Sequence, residues 1–163
     1  MSGPVVVMGV SGSGKTTLGQ AIADALAAPF QEGDDLHPSA NVAKMAAGVP
    51  LTDADRAPWL DLVARWLAAA PGWRVATCSA LKRSYRDRLR RDAPDLRFLW
   101  VDVPADELAR RMTHRSGHYM PVRLLGSQLA TLEPPEPDER ALRLDGGGTP
   151  GALTQAALGW LRG

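Results

Sequence analysis

The chain has 163 residues but only one cysteine, Cys78. A single cysteine excludes an intrachain disulfide and any metal site built from several thiolates. It also favours the cytoplasm over an oxidising compartment. Apolar residues make up 45% of the chain and charged residues 23%, which is ordinary for a globular protein that buries a core.

Long apolar runs are also absent, since no stretch approaches the roughly 18 residues that a membrane-spanning helix needs. The apolar segment from Val5 to Val10 is too short for a signal-peptide core, and no basic residue precedes it. A formal net charge of +1 gives no general attraction to nucleic acid. We therefore expect one domain over residues 1–163, with neither a membrane nor a nucleic acid as partner.

Short apolar strands alternate with amphipathic helices along the chain. The predicted strands cover 4–8, 29–32, 73–78, 96–101 and 141–144, and the predicted helices include 16–28, 81–91 and 105–114. This alternation predicts a parallel sheet of about five strands covered by helices on both faces. Ligands bind at the carboxyl ends of such strands, so we expect Gly9, Asp34, Ser79 and Asp102 on one rim.

The segment GVSGSGKTTL, from Gly9 to Leu18, joins the first predicted strand to the first predicted helix. It fits the phosphate-loop pattern G-x-x-x-x-G-K-[ST] fully. Backbone N–H groups of such a loop wrap phosphates, and the helix N-terminus adds a favourable dipole. Lys15 is expected to reach the β- and γ-phosphates and Thr16 to hold Mg²⁺. The predicted ATP site comprises Gly9, Ser11, Gly12, Ser13, Gly14, Lys15, Thr16 and Thr17.

A second cluster, EGDDLHPSANVAKM, follows the second predicted strand. Asp34 lies where that strand ends, facing the expected position of the γ-phosphate. A carboxylate there can orient an acceptor hydroxyl and take its proton. The alternative is that Asp34 and Asp35 cap a helix that begins near Pro38. Position alone favours neither hypothesis.

Basic residues near predicted helix starts are candidates for binding an anionic acceptor. Arg56 can act as a fork for a carboxylate, or it can be a surface residue of a helix start. Lys82, Arg83 and Arg86 occupy the first turns of another helix, where cations oppose the helix dipole unless an anion is near. That conflict favours an anion-binding role for at least one of them.

Lysine is scarce, at three of the 19 basic residues. Lys15, Lys44 and Lys82 all fall inside the clusters described above. A compact ammonium does not interchange with a guanidinium at a tight site, so this distribution indicates that the three lysines contribute to function.

The last cluster, RRMTHRSGHYMPVRLLGSQLATLEPP, carries Arg111 and Arg115 one helical turn apart. Paired arginines before a glycine suit a lid, at about 111–135, that closes on the triphosphate and excludes water. His118 is either a substrate contact or a structural histidine. Asp102 ends a strand like a magnesium-binding carboxylate, but carboxylates at strand ends are common and we assign it no role.

Together, these clusters resemble the gluconokinase (gluconate kinase) family of small P-loop kinases. The resemblance spans nearly the whole chain and rests on four segments, GVSGSGKTT, EGDDLHPSANVAKMAAGVPLTDADRAPWL, CSALKRSYRDRLR and RSGHYMPVRLLGSQLATLEP. Tyr119 departs from it, because phenylalanine is more usual there. The resemblance implies a nucleoside-monophosphate-kinase-like α/β/α fold with a lid, an acceptor-binding segment at about 34–60, and a homodimer. It also implies phosphorylation of D-gluconate by ATP to 6-phospho-D-gluconate.

The same resemblance implies a role for each candidate residue. Lys15, Asp34, Arg111 and Arg115 are the expected catalytic residues. The expected substrate contacts are Asp34, His37, Lys44, Arg56, Lys82, Arg86 and His118. Two rival hypotheses are a kinase of another small acid such as shikimate, and a non-enzymatic nucleotide-dependent regulator. The regulator leaves Asp34, Arg56 and the Lys82 cluster unexplained.

Overall fold

Short apolar segments form one parallel sheet in the computed structural model, which describes residues 1–113 and 123–163. The strands are β1 (Pro4–Met8), β2 (Phe30–Glu32), β3 (Arg74–Thr77), β4 (Arg97–Asp102) and β5 (Ala141–Asp145). Their order across the sheet is β2-β3-β1-β4-β5. Central β1 pairs Val6 with Ala76 of β3 and with Phe98 of β4. The predicted parallel sheet of about five strands is confirmed.

Helices connect the strands, as parallel pairing requires. They are α1 (Lys15–Leu26), α2 (Ser39–Ala46), α3 (Asp53–Ala68), α4 (Arg83–Asp92), α5 (Ala105–Thr113), α6 (Arg123–Thr131) and α7 (Pro150–Arg162). Short 3₁₀ helices cover Gly33–Leu36 and Pro137–Glu139. No described helix combines the length and the hydropathy that crossing a bilayer requires.

Alternate side chains of β1 enter two different cores, one on each face of the sheet. Val5 and Val7 pack in a core built largely with α1 and α7, while Val6 and Met8 pack in a core built with α3 and α4. Because successive strand residues point to opposite faces, a strand buried on both faces reads as an unbroken apolar run. The arrangement confirms the predicted three-layer α/β/α class.

The start of α3 is fixed by its own sequence. Thr52 Oγ1 accepts from the Asp55 N–H at 3.1 Å, and Asp55 Oδ2 accepts from the Thr52 N–H at 2.9 Å. This reciprocal pair is a capping box, and it satisfies two backbone donors at the helix N-terminus.

The start of α4 is fixed by distant residues. Arg86 is fully buried, and its Nε and Nη2 donate to the two carboxylate oxygens of Glu139 at 2.7 and 3.1 Å. Its Nη1 donates to the Ala80 carbonyl at 2.9 Å. The prediction that Arg86 contacts substrate is therefore wrong, because its donors serve the protein's own interior.

Glu139 is charged in this setting. Burial raises the pKa of its carboxyl, but hydrogen bonds from Arg86 and Arg90 outweigh burial and bring the pKa to about 2. A folded-state pKa below the usual value of about 4.3 stabilises the fold above that pH. This contribution is lost as the pH falls towards 2.

Replacing Glu139 with glutamine should destabilise the fold strongly, because Arg86 would keep a buried charge without its counter-charge. We expect a loss of about 3–5 kcal/mol in the free energy of unfolding, measured by urea denaturation. Asp138→Asn is the matched control, since Asp138 pairs with Arg83 at the surface and should matter far less. Equal losses for the two variants would contradict the assignment.

Candidate active site

A cavity of about 250 Å³ opens where β1, β2 and β3 end. Its lining combines residues of the phosphate loop with Arg56 and with two residues of the expected rim, Asp34 and Ser79, while Gly9 is not part of it. Asp102, at the end of β4, is not part of the lining, and its carboxylate instead accepts from Arg143 Nε at 2.7 Å. Separate clusters of the sequence thus meet at one site.

The phosphate loop is shaped to receive an anion. Gly14 precedes α1 with φ 95°, a left-handed conformation, and contributes no side-chain cap. No side chain caps the start of α1 and its first turn contains no acidic residue, so the dipole of this helix favours an anionic ligand there. Lys15 Nζ donates to the carbonyls of Gly9 and Val10 at 3.0 and 2.9 Å, which holds the ammonium beside the loop.

Gln128 of α6 contacts the same loop, which sequence reasoning missed. The Ser11 N–H donates to Gln128 Oε1 at 2.7 Å. The carboxamide oxygen of Gln128 thus occupies the position at the Ser11 N–H that suits a phosphate oxygen. The available signal was a polar residue at helical spacing among Leu125, Leu129 and Leu132.

Glu32, at the end of β2, is a second residue that sequence reasoning missed. Thr16 Oγ1 donates to Glu32 Oε2 at 2.5 Å, and the Thr77 hydroxyl donates to Oε1. Hydroxyl and carboxylate oxygens are the hard ligands that Mg²⁺ prefers. Thr16 and Glu32 both line the cavity. Two carboxylates two residues apart after a strand, Glu32 and Asp34, were the available signal.

Asp34 lies in the 3₁₀ helix Gly33–Leu36 and lines the cavity with its side chain 46% exposed. Its Oδ1 is 3.8 Å from Nε2 of His37. Helix α2 begins at Ser39 after Pro38 and has no side-chain cap. The alternative that Asp34 and Asp35 cap this helix is therefore wrong.

His37 is held between an aromatic ring and an amide. Its ring stacks on Trp59 at 4.0 Å between centroids, and its Nδ1 lies 3.2 Å from Asn41 Nδ2. Burial lowers its pKa to about 4, despite the opposing effect of Asp34, so the imidazole is neutral at pH 7. With Nδ1 accepting from the Asn41 amide, the ring proton is on Nε2, the atom nearest Asp34.

Arg56 lines the cavity, so the alternative of a solvated surface residue is wrong. Its Nη1 donates to the Leu51 carbonyl at 2.8 Å and to the Tyr85 hydroxyl at 3.1 Å. Both bonds use one nitrogen. Within the described residues, Nε and Nη2 therefore keep their hydrogens for a ligand carboxylate.

The remaining basic candidates lie outside the cavity lining. Lys44 Nζ donates to Asp55 at 2.8 Å, and Lys82 Nζ lies 3.3 Å from an oxygen of Asp53. Arg83 pairs with Asp138 at 2.7 Å. The basic start of α4 does meet anions, as its clash with the helix dipole predicts, but these are carboxylates of the protein itself.

Arg111 lies against the phosphate loop. Its Nη1 donates to the Gly12 and Ser13 carbonyls, both at 3.4 Å, and Nη2 donates to the Gly146 carbonyl at 3.0 Å. Glu107, one turn earlier in α5, accepts from its Nε at 3.1 Å. Arg115, His118 and Tyr119 lie outside the described residues, so the lid remains a prediction.

Comparison with known proteins matches the predicted resemblance. Residues 5–135 fit a family model described as an AAA domain. The gluconokinase of Gluconobacter oxydans (strain 621H) is 56% identical over 145 residues, which are 87% of this chain and 82% of that protein. The chain belongs to the gluconokinase family. A gluconokinase structure from Sinorhizobium meliloti 1021 has 49% identity and a TM-score of 0.91, covering 99% of this chain and 92% of that one.

Membership in the gluconokinase family makes the chain a kinase and disfavours the regulator hypothesis. The shikimate kinase of Aquifex aeolicus vf5 has a TM-score of 0.67 at 14% identity, covering 98% of this chain and 96% of that one. At that identity, the likeness shows a shared fold and nothing about the acceptor.

Gly33 sets the position of both carboxylates in the cavity. Its N–H donates to Thr77 Oγ1 at 3.0 Å, and a Cβ at this position would lie 1.8 Å from the Thr77 carbonyl oxygen. The Thr77 carbonyl belongs to the backbone of β3, so it cannot move aside as the end of a flexible side chain can. Only glycine therefore allows the backbone between Glu32 and Asp34 to approach β3 this closely.

Gly33→Ala should lower kcat at least tenfold, because the segment carrying Glu32 and Asp34 must shift away from β3. Gly159→Ala is the control, since a Cβ there meets nothing within 4 Å and alanine favours a helix. Steady-state kinetics on both folded variants check this. Wild-type kcat in Gly33→Ala would contradict the proposed constraint.

Proposed function

We propose that this member of the gluconokinase family transfers the γ-phosphoryl group of ATP to the terminal hydroxyl of D-gluconate. The products are 6-phospho-D-gluconate and ADP. The observation that supports this most strongly is the joint lining of one cavity by Lys15, Asp34 and Arg56. These residues provide a phosphate-binding cation, a base for a hydroxyl, and a fork for a carboxylate.

The donor half of the cavity holds the triphosphate. Backbone N–H groups at the start of α1 bind phosphate oxygens, and Lys15 moves from the loop carbonyls to the β- and γ-phosphates. ATP displaces Gln128 from the Ser11 N–H, because one N–H serves one strong acceptor. Arg111, already at the loop, stabilises the charge on the transferring phosphoryl group, and Arg115 of the lid joins it.

Thr16 and Glu32 are the residues that would hold Mg²⁺, since their oxygens meet on the phosphate side of the cavity. When bound with ATP, the ion supplies neutralising charge for the phosphate oxygens. In the described residues, no group of three or more His, Cys, Asp or Glu side chains forms a metal site. Phosphate oxygens of bound ATP would supply further ligands for the ion.

The acceptor half prepares the hydroxyl. Asp34 orients the terminal hydroxyl of the sugar acid and takes its proton as the oxygen attacks phosphorus. His37, neutral and with its proton on Nε2, places a hydrogen-bond donor 3.8 Å from Asp34 and adds no positive charge. Trp59, 1% exposed, stacks on His37 and gives this side of the cavity an apolar wall.

Arg56 binds the carboxylate at the other end of the acceptor. Its Nε and Nη2 hydrogens form the planar pair that a carboxylate accepts in bidentate fashion. This contact selects sugar acids over neutral polyols of the same length. Lys44 forms an ion pair with Asp55, and Lys82 forms one with Asp53. These pairs contribute by fixing charged side chains around the acceptor-binding segment.

An acceptor panel tests the proposed substrate. ADP release with Mg-ATP should be stimulated strongly by D-gluconate and weakly by shikimate, other sugar acids or buffer alone. Stimulation by a different acid would keep the role of Asp34 and discard gluconate. No stimulation by any acceptor, despite tight ATP binding, would contradict the proposed activity.

Asp34→Asn should lower kcat with gluconate by a factor of about 10²–10⁴, because the amide cannot take the proton. Asp35→Asn is the matched control, an exposed neighbour that does not line the cavity, and should keep wild-type kcat. Lys15→Ala should also nearly abolish turnover while the fold survives. An unchanged kcat in Asp34→Asn would remove Asp34 from the mechanism.

A further inference from the structure

Arg56 has a long side chain, and something must hold its guanidinium in place for it to bind a carboxylate productively. Resting on the role of Arg56 proposed above, we infer that Tyr85 is a positioning residue for acceptor binding. In this assignment, its hydroxyl links Arg56 to Asp53 and Lys82 outside the cavity lining. Tyr85 thus acts on the substrate through Arg56, without touching it.

A continuous chain of contacts connects these side chains. Lys82 Nζ lies 3.3 Å from Asp53 Oδ1, the Tyr85 hydroxyl donates to that same oxygen at 2.5 Å, and Arg56 Nη1 donates to the hydroxyl at 3.1 Å. The chain crosses from α4, which carries Tyr85, to α3, which carries Asp53 and Arg56. It joins two elements that pack against each other on one face of the sheet.

The direction of each hydrogen bond gives the phenol its role. A phenol has one proton and can also accept, and an arginine can only donate. The Tyr85 hydroxyl donates its hydrogen bond to Asp53, which leaves a lone pair of the hydroxyl oxygen to accept from Arg56. Asp53 stays charged at neutral pH, since hydrogen bonds from Tyr85 and Lys82 hold its pKa below the usual range.

Tyr85 also confines Arg56 by its ring. The residue is 5% exposed, and the Arg56 guanidinium carbon lies 5.3 Å from the ring centroid. Together with the Leu51 carbonyl, at 2.8 Å, the phenol fixes Nη1 at two points. A guanidinium fixed in this way loses less rotational freedom when a carboxylate binds, which strengthens binding.

This arrangement revises how the basic start of α4 serves the acceptor. Lys82 does not line the cavity, yet it contacts Asp53 and its ammonium lies 5.6 Å from the centroid of the Tyr85 ring. Lys82 therefore influences the acceptor indirectly, through its contact with Asp53 and the hydrogen bonds that link Asp53 to Tyr85 and Tyr85 to Arg56. The sequence predicts a direct substrate contact for Lys82, whereas this inference gives it an indirect role.

Tyr85→Phe tests the inference, because it removes the hydroxyl and keeps the ring. We expect the KM for D-gluconate to rise about 3- to 10-fold, which corresponds to the loss of one typical intramolecular hydrogen bond. The KM for ATP and the kcat should stay within twofold of wild type. Ser84→Ala, an exposed neighbour on α4, is the matched control and should change none of these.

A double-mutant cycle separates positioning from a general structural effect. On an Arg56→Met background, Tyr85→Phe should cause no further rise in the KM for gluconate, because its only route to substrate is already lost. Multiplicative effects of the two substitutions would overturn the inference. If Tyr85→Phe does not fold, Asp53→Ala, at an exposed site, should raise the same KM, because it removes the acceptor of the Tyr85 hydroxyl.

Comparison of the single variants distinguishes two kinds of failure. If Arg56→Met leaves the KM for gluconate unchanged, both the carboxylate-binding role of Arg56 and the inference fail. If Arg56→Met raises that KM but Tyr85→Phe and Asp53→Ala do not, only the inference fails. D-sorbitol, a neutral polyol of the same length, is the reference acceptor. Because it has no carboxylate, its KM should not rise in Arg56→Met or in Tyr85→Phe.

Discussion

The close approach of Gly33 to the Thr77 carbonyl is the constraint on which both halves of the site depend. A Cβ at residue 33 would lie 1.8 Å from that oxygen, so the chain passes β3 there only as glycine. The preceding residue, Glu32, reaches the Thr16 hydroxyl at the phosphate loop. The following residue, Asp34, lines the part of the cavity proposed for the acceptor. In the proposed mechanism, one backbone contact therefore sets the separation between donor and acceptor, on which phosphoryl transfer depends.

The arginines of this protein differ in whether a carboxylate of the protein neutralises them. Arg86 is neutralised in the interior by Glu139, and Arg83 at the surface by Asp138. Among the described residues, Arg56 instead donates to two neutral partners, the Leu51 carbonyl and the Tyr85 hydroxyl. A guanidinium that faces a cavity without a carboxylate bonded to it retains its attraction for an incoming anion.

Local features of the site were predictable from the sequence, and features that depend on distant partners were not. The phosphate loop and the capping box of α3 follow from residues within one turn of each other. Arg86 was misassigned because its partner, Glu139, lies 53 residues further on. Gln128 and Tyr85 were missed because each reads as a packing residue of its own helix, until tertiary structure brings it to Ser11 or Arg56.

The measurement that tests the account most directly is a crystal structure with D-gluconate and a non-hydrolysable ATP analogue bound together. The account predicts the terminal hydroxyl within about 3 Å of the Asp34 carboxylate, and the gluconate carboxylate on Arg56. It also predicts that Gln128 has left the Ser11 N–H. Gluconate bound in the reverse direction, with its carboxylate near the phosphate loop and Arg56 contacting only hydroxyls, would contradict the account.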